Sequence, residues 1–266
     1  MIRFIYFIII SFTIGFSESI YAIEIQDSVN NTFRSENNKK RDKYRNPIQT
    51  LKFFGLDHQK KILEIAPGRG WYTEIISHYM SKTQNYYVTN YTQPTREIIS
   101  KIQKEFQLHF EKNASKFGGF KIVEFDNKKN FEKFEKNYFD LVLTFRNTHN
   151  WLDAQKAGKV YESINKIMRL DGILGVVQHR ADEKEDFNYK LGYVKESFLI
   201  RLIESKGFKL VEKSEINANY KDKKNYPDGV WTLPPRLVNK EINKEKYLKI
   251  GESDRMTLKF VKTKNL

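Results

Sequence analysis

Seven short apolar runs, separated by stretches with helical spacing, constrain this chain more than any other feature. The runs are "KILEIA" (61–66), "YYVTN" (86–90), "FKIVEF" (120–125), "FDLVLTF" (139–145), "GILGVVQH" (172–179), "FKLVEKSEI" (208–216) and "RMTLKFV" (255–261). Each has the length of a buried strand. Ile98, Ile99, Ile102, Phe106 and Phe110 form a stripe at three-and-four spacing after the second run. Ala157, Val160, Tyr161, Ile164, Ile167 and Met168 form another before the fifth, and Val194, Phe198, Leu199, Leu202 and Ile203 a third before the sixth. Such stripes belong to helices that pack on a sheet. Strand-helix alternation predicts an α/β fold, with a mostly parallel sheet covered by helices on both faces. A chain of 266 residues suffices for one full-sized domain of this kind. The alternation stops between 218 and 252. There "NYPDGVWTLPPR" (225–236) combines Pro-Asp-Gly with Pro-Pro, which forbids a regular element. Its Tyr226, Trp231 and Leu233 predict an ordered loop, suited to a lid.

The N-terminus has a different character. Arg3 precedes an apolar run from Phe4 to Phe16, a polar stretch follows, and Ala22 offers a small residue before a cut. This is the pattern of a secretory signal peptide, although Ile20 is bulky for the −3 position. The run is shorter than the ~20 residues a membrane span needs. The expected organisation is a signal peptide over 1–22, a polar arm over 23–50 and one domain over 51–266. Export, to the periplasm, is the expected destination, with no membrane span after cleavage. The absence of cysteine excludes disulfides, thiolate metal sites and cysteine nucleophiles. The net charge of +14 is spread along the chain. Its densest stretch, "KKRDKYR" (39–45), lacks interleaved aromatics, so nucleic acid is not an expected partner.

"EIAPGRGWYTE" (64–74) is the stretch with chemical content. The first strand ends at Ala66, and Pro67-Gly68-Arg69-Gly70 must turn the chain into a helix starting near Trp71. Glycines there permit left-handed dihedrals and let a ligand approach bare amides at a helix N-terminus. Two ligand classes suit such a turn. A dinucleotide needs a third glycine and an acid about twenty residues on. This chain has Thr73 and Asn90 at those places, which disfavours an NAD(P)-dependent oxidoreductase. The other class is S-adenosylmethionine, for which Glu64 supplies the acid of the first strand.

Six stretches carry a resemblance: "EIAPGRGWYTEI" (64–75), "FDLVLTFRNTHNW" (139–151), "GILGVVQHR" (172–180), "GYVKESFLIRLIESKGFKLVEKSEINAN" (192–219), "YPDGVWTLPPR" (226–236) and "IGESDRMTLKFV" (250–261). With them the chain resembles class I S-adenosylmethionine-dependent methyltransferases, and more narrowly a group of bacterial predicted methyltransferases that carry signal peptides. The likeness covers nearly all of 50–262. It implies a Rossmann-like, seven-stranded sheet whose last strand is antiparallel. It implies that Glu64, Pro67, Gly68 and Gly70 surround the amino acid end of the cofactor. Asn90 takes the place of an acid at the ribose hydroxyls. Asp126 is a candidate for the adenine amino group, and Thr144 to Arg146 lie by the sulfonium region. Ala66, where a glycine is usual, is a mild departure.

Methyl transfer to oxygen or neutral nitrogen is helped by a base that removes a proton. His149 follows the fourth run and His179 ends the fifth, at the sheet edge where α/β folds bind ligands. Both titrate near neutrality in water, and both are candidate catalytic groups. Asn147, Asn150 and Trp151 are expected to shape the pocket of a small-molecule acceptor, with Arg180 and Tyr193 as further contacts. No His-x-x-x-His spacing points to a metal. A non-catalytic binding protein on the same fold remains the alternative reading, because fold does not fix function.

Overall fold

The computed structural model describes residues 22–91, 97–125, 135–239 and 241–266. The signal segment over 1–21 and the adenine candidate Asp126 lie outside them. Seven strands form one sheet in the order β3-β2-β1-β4-β5-β7-β6. They are β1 (Ile62–Ile65), β2 (Tyr86–Tyr91), β3 (Lys121–Phe125), β4 (Phe139–Phe145), β5 (Met168–His179), β6 (Phe208–Ser214) and β7 (Arg255–Lys262). Neighbours from β3 to β5 pair in parallel, while β7 runs antiparallel to both β5 and β6. The fold is the one expected, and each apolar run became a strand. β5 starts four residues before its apolar run, because Met168 pairs with Phe139 ahead of a register shift.

Eleven α-helices lie among the described residues. The first four are α1 (Ile25–Asn30), α2 (Glu36–Lys39), α3 (Asp42–Arg45) and α4 (Pro47–Phe54). They are followed by α5 (Thr73–Tyr79), α6 (Glu97–Lys112), α7 (Ala114–Phe117), α8 (Thr148–Asp153), α9 (Ala157–Ile167), α10 (Glu196–Glu204) and α11 (Lys244–Ile250). One face of the sheet packs against α9 and α10, through Val160, Ile164, Leu199 and Ile203. The other packs against α1, α4, α5, α6 and α7, through Val29, Leu51, Phe54, Ile76 and Phe110.

The stretch read as a polar arm is therefore part of the second layer. Its Ile25, Val29 and Thr50 are buried, and α4 carries the chain on to Phe54, which lies over Gly175 of β5, where a Cβ would come within 2.7 Å of its ring. Two of the arm's charges, Arg34 and Arg45, are buried by pairing. Arg34 donates to both carboxylate oxygens of Asp42, at 2.7 and 2.8 Å, and to the Val29 carbonyl. Paired charge of this kind reads as solvent-facing in a sequence, although it sits inside.

At the far end of the sheet, Lys262 is fully buried, and among the described residues no ion pair holds it. Its Nζ donates to Asn137 Oδ1 at 3.0 Å and to the Asn165 and Met168 carbonyls at 2.7 and 2.6 Å. Lys262→Met keeps the volume but takes the ammonium from the buried Met168 carbonyl; the Asn165 carbonyl keeps the Met168 N–H, and Asn137 is exposed to water. One buried acceptor left unpaired costs ~1–3 kcal/mol, and urea denaturation is expected to show a loss of that size. An unchanged midpoint would show that water replaces the ammonium. No helix among the described residues is long and apolar enough to cross a membrane.

Candidate active site

A cavity of about 780 Å³ opens at the carboxyl ends of β1, β2 and β4. Parallel sheets bind ligands there, where strand order reverses direction around β1. The volume lies in the range of sites for small molecules and cofactors. Its floor is the glycine turn, with Ala66, Pro67, Gly68 and Arg69, and Thr89 and Asn90 close one side. Ile98, Ile99 and Ile102 of α6 form the wall over this half. The apolar stripe of α6 thus has two roles. Phe106 and Phe110 reach the core, whereas Ile98 is 46 % exposed and faces the cavity.

The turn is built as its residues predict. Ala66, Gly68 and Gly70 all have positive φ, at 51, 63 and 80°. A Cβ on Gly68 would meet nothing within 4 Å, so the backbone there lies open to a ligand. At Gly70 it would come within 2.4 Å of the Phe110 ring. Gly70 is thus a packing glycine beneath the turn, and α5 starts at Thr73, two residues later than expected. Ala66 N–H donates to Thr89 Oγ1 at 2.8 Å, which ties the turn to β2.

Glu64 does not reach the cavity wall. It is 2 % exposed, on the face of β1 opposite Leu63 and Ile65. Its Oε2 accepts from Thr73 Oγ1 at 2.7 Å and from the Tyr86 hydroxyl at 2.5 Å. Burial pushes its pKa up to about 7, against the opposing pull of those two hydrogen bonds. Glu64 therefore braces the start of α5 from below. Thr73, read above as a missing glycine, is its partner.

The other half of the cavity is lined by Asn147, His149 and Asn150 at the start of α8, and by Tyr189, Trp231 and Arg236. Asn147 Nδ2 is shared between the Ile65 carbonyl (3.1 Å), the Ala66 carbonyl (3.3 Å) and Thr144 Oγ1 (3.1 Å). His149 is held from behind. Gln178 Nε2 donates to the Gly192 carbonyl at 2.9 Å and lies 3.2 Å from His149 Nδ1. A carbonyl only accepts, so the amide nitrogen must face Gly192, and its second proton points at Nδ1. Neutral His149 then carries its own proton on Nε2. In this arrangement it offers a donor, and it becomes a base only by exchanging its bond with Gln178. Trp231 lies 5.6 Å from the His149 ring, centroid to centroid, so the proline-rich loop does cover this half.

Several candidates sit behind the wall rather than on it. His179 is buried, 5.7 Å from the His149 ring, with Nδ1 2.5 Å from Ser253 Oγ. Burial first, then the nearby His149, Arg255, Arg146 and Arg45, hold its pKa well below the usual histidine range, so it is neutral. Arg180 spends its donors on carboxylates. It bonds both oxygens of Asp254 at 3.0 Å and both of Glu215 at 2.8 and 2.6 Å, with Glu196 at 3.3 Å. The Tyr193 hydroxyl is committed to Asp222, at 2.9 and 3.0 Å. Trp151 packs edge-on against Tyr161 in the core at 5.6 Å. Thr144 is fully buried and accepts from Asn147, and Arg146 turns towards a cluster of arginines described below. Tyr189 is a wall residue that no motif announced, and Arg236, which ends the proline-rich stretch, was not singled out within it. The turn residues around them were the only signal.

No protein-family description and no curated protein matches the sequence. Solved structures do match. One is an S-adenosylmethionine-dependent methyltransferase from Aquifex aeolicus, with a TM-score of 0.57 at 12 % identity, covering 91 % of this chain and 100 % of that one. Another is the Burkholderia thailandensis 1,6-didemethyltoxoflavin N1-methyltransferase, solved with S-adenosylhomocysteine, at 0.50 and 14 %, covering 82 % and 76 %. A third is the cyclase SpnF, at 0.52 and 15 %, covering 82 % and 80 %. These likenesses establish the fold as that of the S-adenosylmethionine-dependent methyltransferases. At such identities they establish the architecture alone, and a cyclase shares it.

Proposed function

We propose that the protein transfers a methyl group from S-adenosylmethionine to a small-molecule acceptor, and that it does so after export to the periplasm. The observation that carries this reading is the two-part cavity. One half is an open glycine turn beside Asn90 and an apolar wall. The other is polar, under an aromatic loop. The turn fits the cofactor because Gly68 leaves a cradle that a side chain would intrude upon. Pro67, Gly68 and Asn90 would hold it, with Ile99 and Ile102 against its flat apolar part. When bound, it supplies an electrophilic methyl group.

The protein's part is alignment and exclusion of water, and alignment alone is worth up to ~7–11 kcal/mol in favourable cases. Asn147 and Asn150 orient the acceptor, His149 gives it a hydrogen-bond donor, and Trp231 shields it from solvent. His179, neutral and packed behind His149, keeps that ring in place. The test is calorimetric titration of the chain freed of residues 1–22 with S-adenosylhomocysteine, with NADH as control. Micromolar affinity for the first alone, roughly −8 kcal/mol, is the expected result. No binding by a folded sample would sink the reading in favour of a binding protein with another ligand.

A further inference from the structure

Behind His179, under α3 and the start of α5, three guanidinium groups meet on one carboxylate and a fourth lies within their electrostatic reach. Glu252 accepts from Arg41 Nε at 2.6 Å, from Arg45 Nε at 3.1 Å and from Arg255 Nη2. Arg255 faces His179 across the β5–β7 register. The fourth group is Arg146, which leaves β4 in the left-handed conformation with φ 64°. It lies in the field of Arg255, Arg41 and Glu252. Among the described residues no hydrogen bond or ion pair holds its guanidinium.

The donors of this cluster greatly outnumber its acceptors. Arg45 is 2 % exposed, yet its Nη1 and Nη2 find no hydrogen-bond partner, and neither does Arg255 Nε. The face of Arg45 rests on the Trp71 ring, 4.7 Å from its centroid, which leaves the in-plane donors aimed elsewhere. A guanidinium has five donors and cannot accept. Like charges of this number are not buried together unless something of opposite sign joins them. Glu252 balances one of the four. Burial, and then the neighbouring guanidiniums, weaken the hold of Arg45 and Arg146 on their protons, that of Arg146 to about 10. Backbone strain at a non-glycine residue, as at Arg146, is characteristic of functional sites.

We propose that the cluster is a binding site for a small oxyanion, a phosphate or carboxylate group, held in the forks of Arg45 and Arg146 and by Nε of Arg255. Glu252 orients these donors by fixing Nε of Arg45 and Nη2 of Arg255, whose Nη1 donates to the Tyr44 carbonyl at 3.0 Å. The planar fork matches two oxygens of such a group at once. Entry is from the side of Arg41, whose side chain is 22 % exposed, and of half-buried Arg146. The group is either a free ion or the anionic end of a larger molecule, and the same chemistry recognises both.

The full-length protein is titrated with inorganic phosphate and with acetate, and melted in each against chloride at equal ionic strength. No cofactor is present, so the outcome is independent of methyl transfer. Submillimolar binding of one of the two anions at one site, with a rise of several degrees in Tm, is expected. Arg146→Gln should weaken that binding at least tenfold. In chloride the variant should melt at or above wild type, because a repelling charge has gone. A merely structural arginine would give a lower Tm. Arg45→Gln provides a second loss of binding if its packing on Trp71 can be spared. Phenyl phosphate separates the sources. Affinity equal to that of phosphate assigns the group to a larger molecule, and exclusion assigns it to a free ion. Equal binding of both anions by wild type and Arg146→Gln, or none by either, would overturn the proposal.

Discussion

Gly70→Ala is expected to weaken binding of S-adenosylhomocysteine at least a hundredfold and to cost ~3 kcal/mol of stability. The backbone at Gly70 is left-handed, with φ 80°, which a Cβ penalises by ~1–2 kcal/mol. The new methyl would also lie 2.4 and 2.9 Å from two atoms of the Phe110 ring and 3.1 Å from Phe106. Both rings belong to α6 and are buried in the second layer. Relief requires α6 to retreat or the turn to flip, at ~1–3 kcal/mol for overpacking. Either movement spoils the cavity, since α6 is its wall and the turn its floor. Gly68→Ala makes an internal control for stability, not for binding, because its Cβ would enter the cofactor's cradle. Its φ of 63° carries the same backbone penalty, but its Cβ meets nothing within 4 Å. It should cost only ~1–2 kcal/mol. Urea denaturation of both variants decides the matter, with calorimetry on Gly70→Ala for binding, and equal losses of stability would mean that packing against α6 plays no part.

The second large effect is a pH dependence. The Glu64 carboxyl has a pKa of about 7 in the folded protein, against an ordinary value of 4.5. A raised folded value means that the fold prefers the protonated form. That preference is fully expressed below pH 4.5 and is lost as pH rises through 7. The difference corresponds to ~3 kcal/mol. Glu64→Gln keeps an oxygen for the Thr73 and Tyr86 hydroxyls and never ionises. It should match wild type near pH 4.5 and exceed it by up to ~3 kcal/mol at pH 8. Urea midpoints measured across that range provide the check. Parallel curves for the two proteins would show that Glu64 titrates normally.

Much of the architecture was legible because burial has a period. Strands β4 and β6 begin where their apolar runs begin, and α9 begins at Ala157, the first residue of its stripe. The glycine turn was legible because few residues other than glycine tolerate positive φ. What was not legible depended on partners distant in sequence. Arg34 and Arg45 look like surface residues until Asp42, Trp71 and Glu252 come to meet them. The stripe of α6 looks uniform, yet four of its five residues line a cavity, because periodicity records which side is dry and not what fills it. His179, Arg180, Tyr193 and Trp151 were placed at the correct edge of the sheet. Their neighbours Ser253, Asp254, Asp222 and Tyr161 decide that they serve structure behind the wall. Trp231 carried a signal in its proline-rich setting, and it does cover the cavity.

The Asn147 amide has a consequence for how the two halves of the cavity are coupled. One side chain grips the carbonyls of Ile65 and Ala66, where the glycine turn begins, and it stands one residue ahead of α8, which carries His149. The two compartments of the cavity are thus mechanically a single part. The spacing between a molecule in the turn and one in the far compartment is set by this one amide rather than by either molecule. Any coupling between the two sites through it is reciprocal, so each would raise the affinity of the other by the same factor.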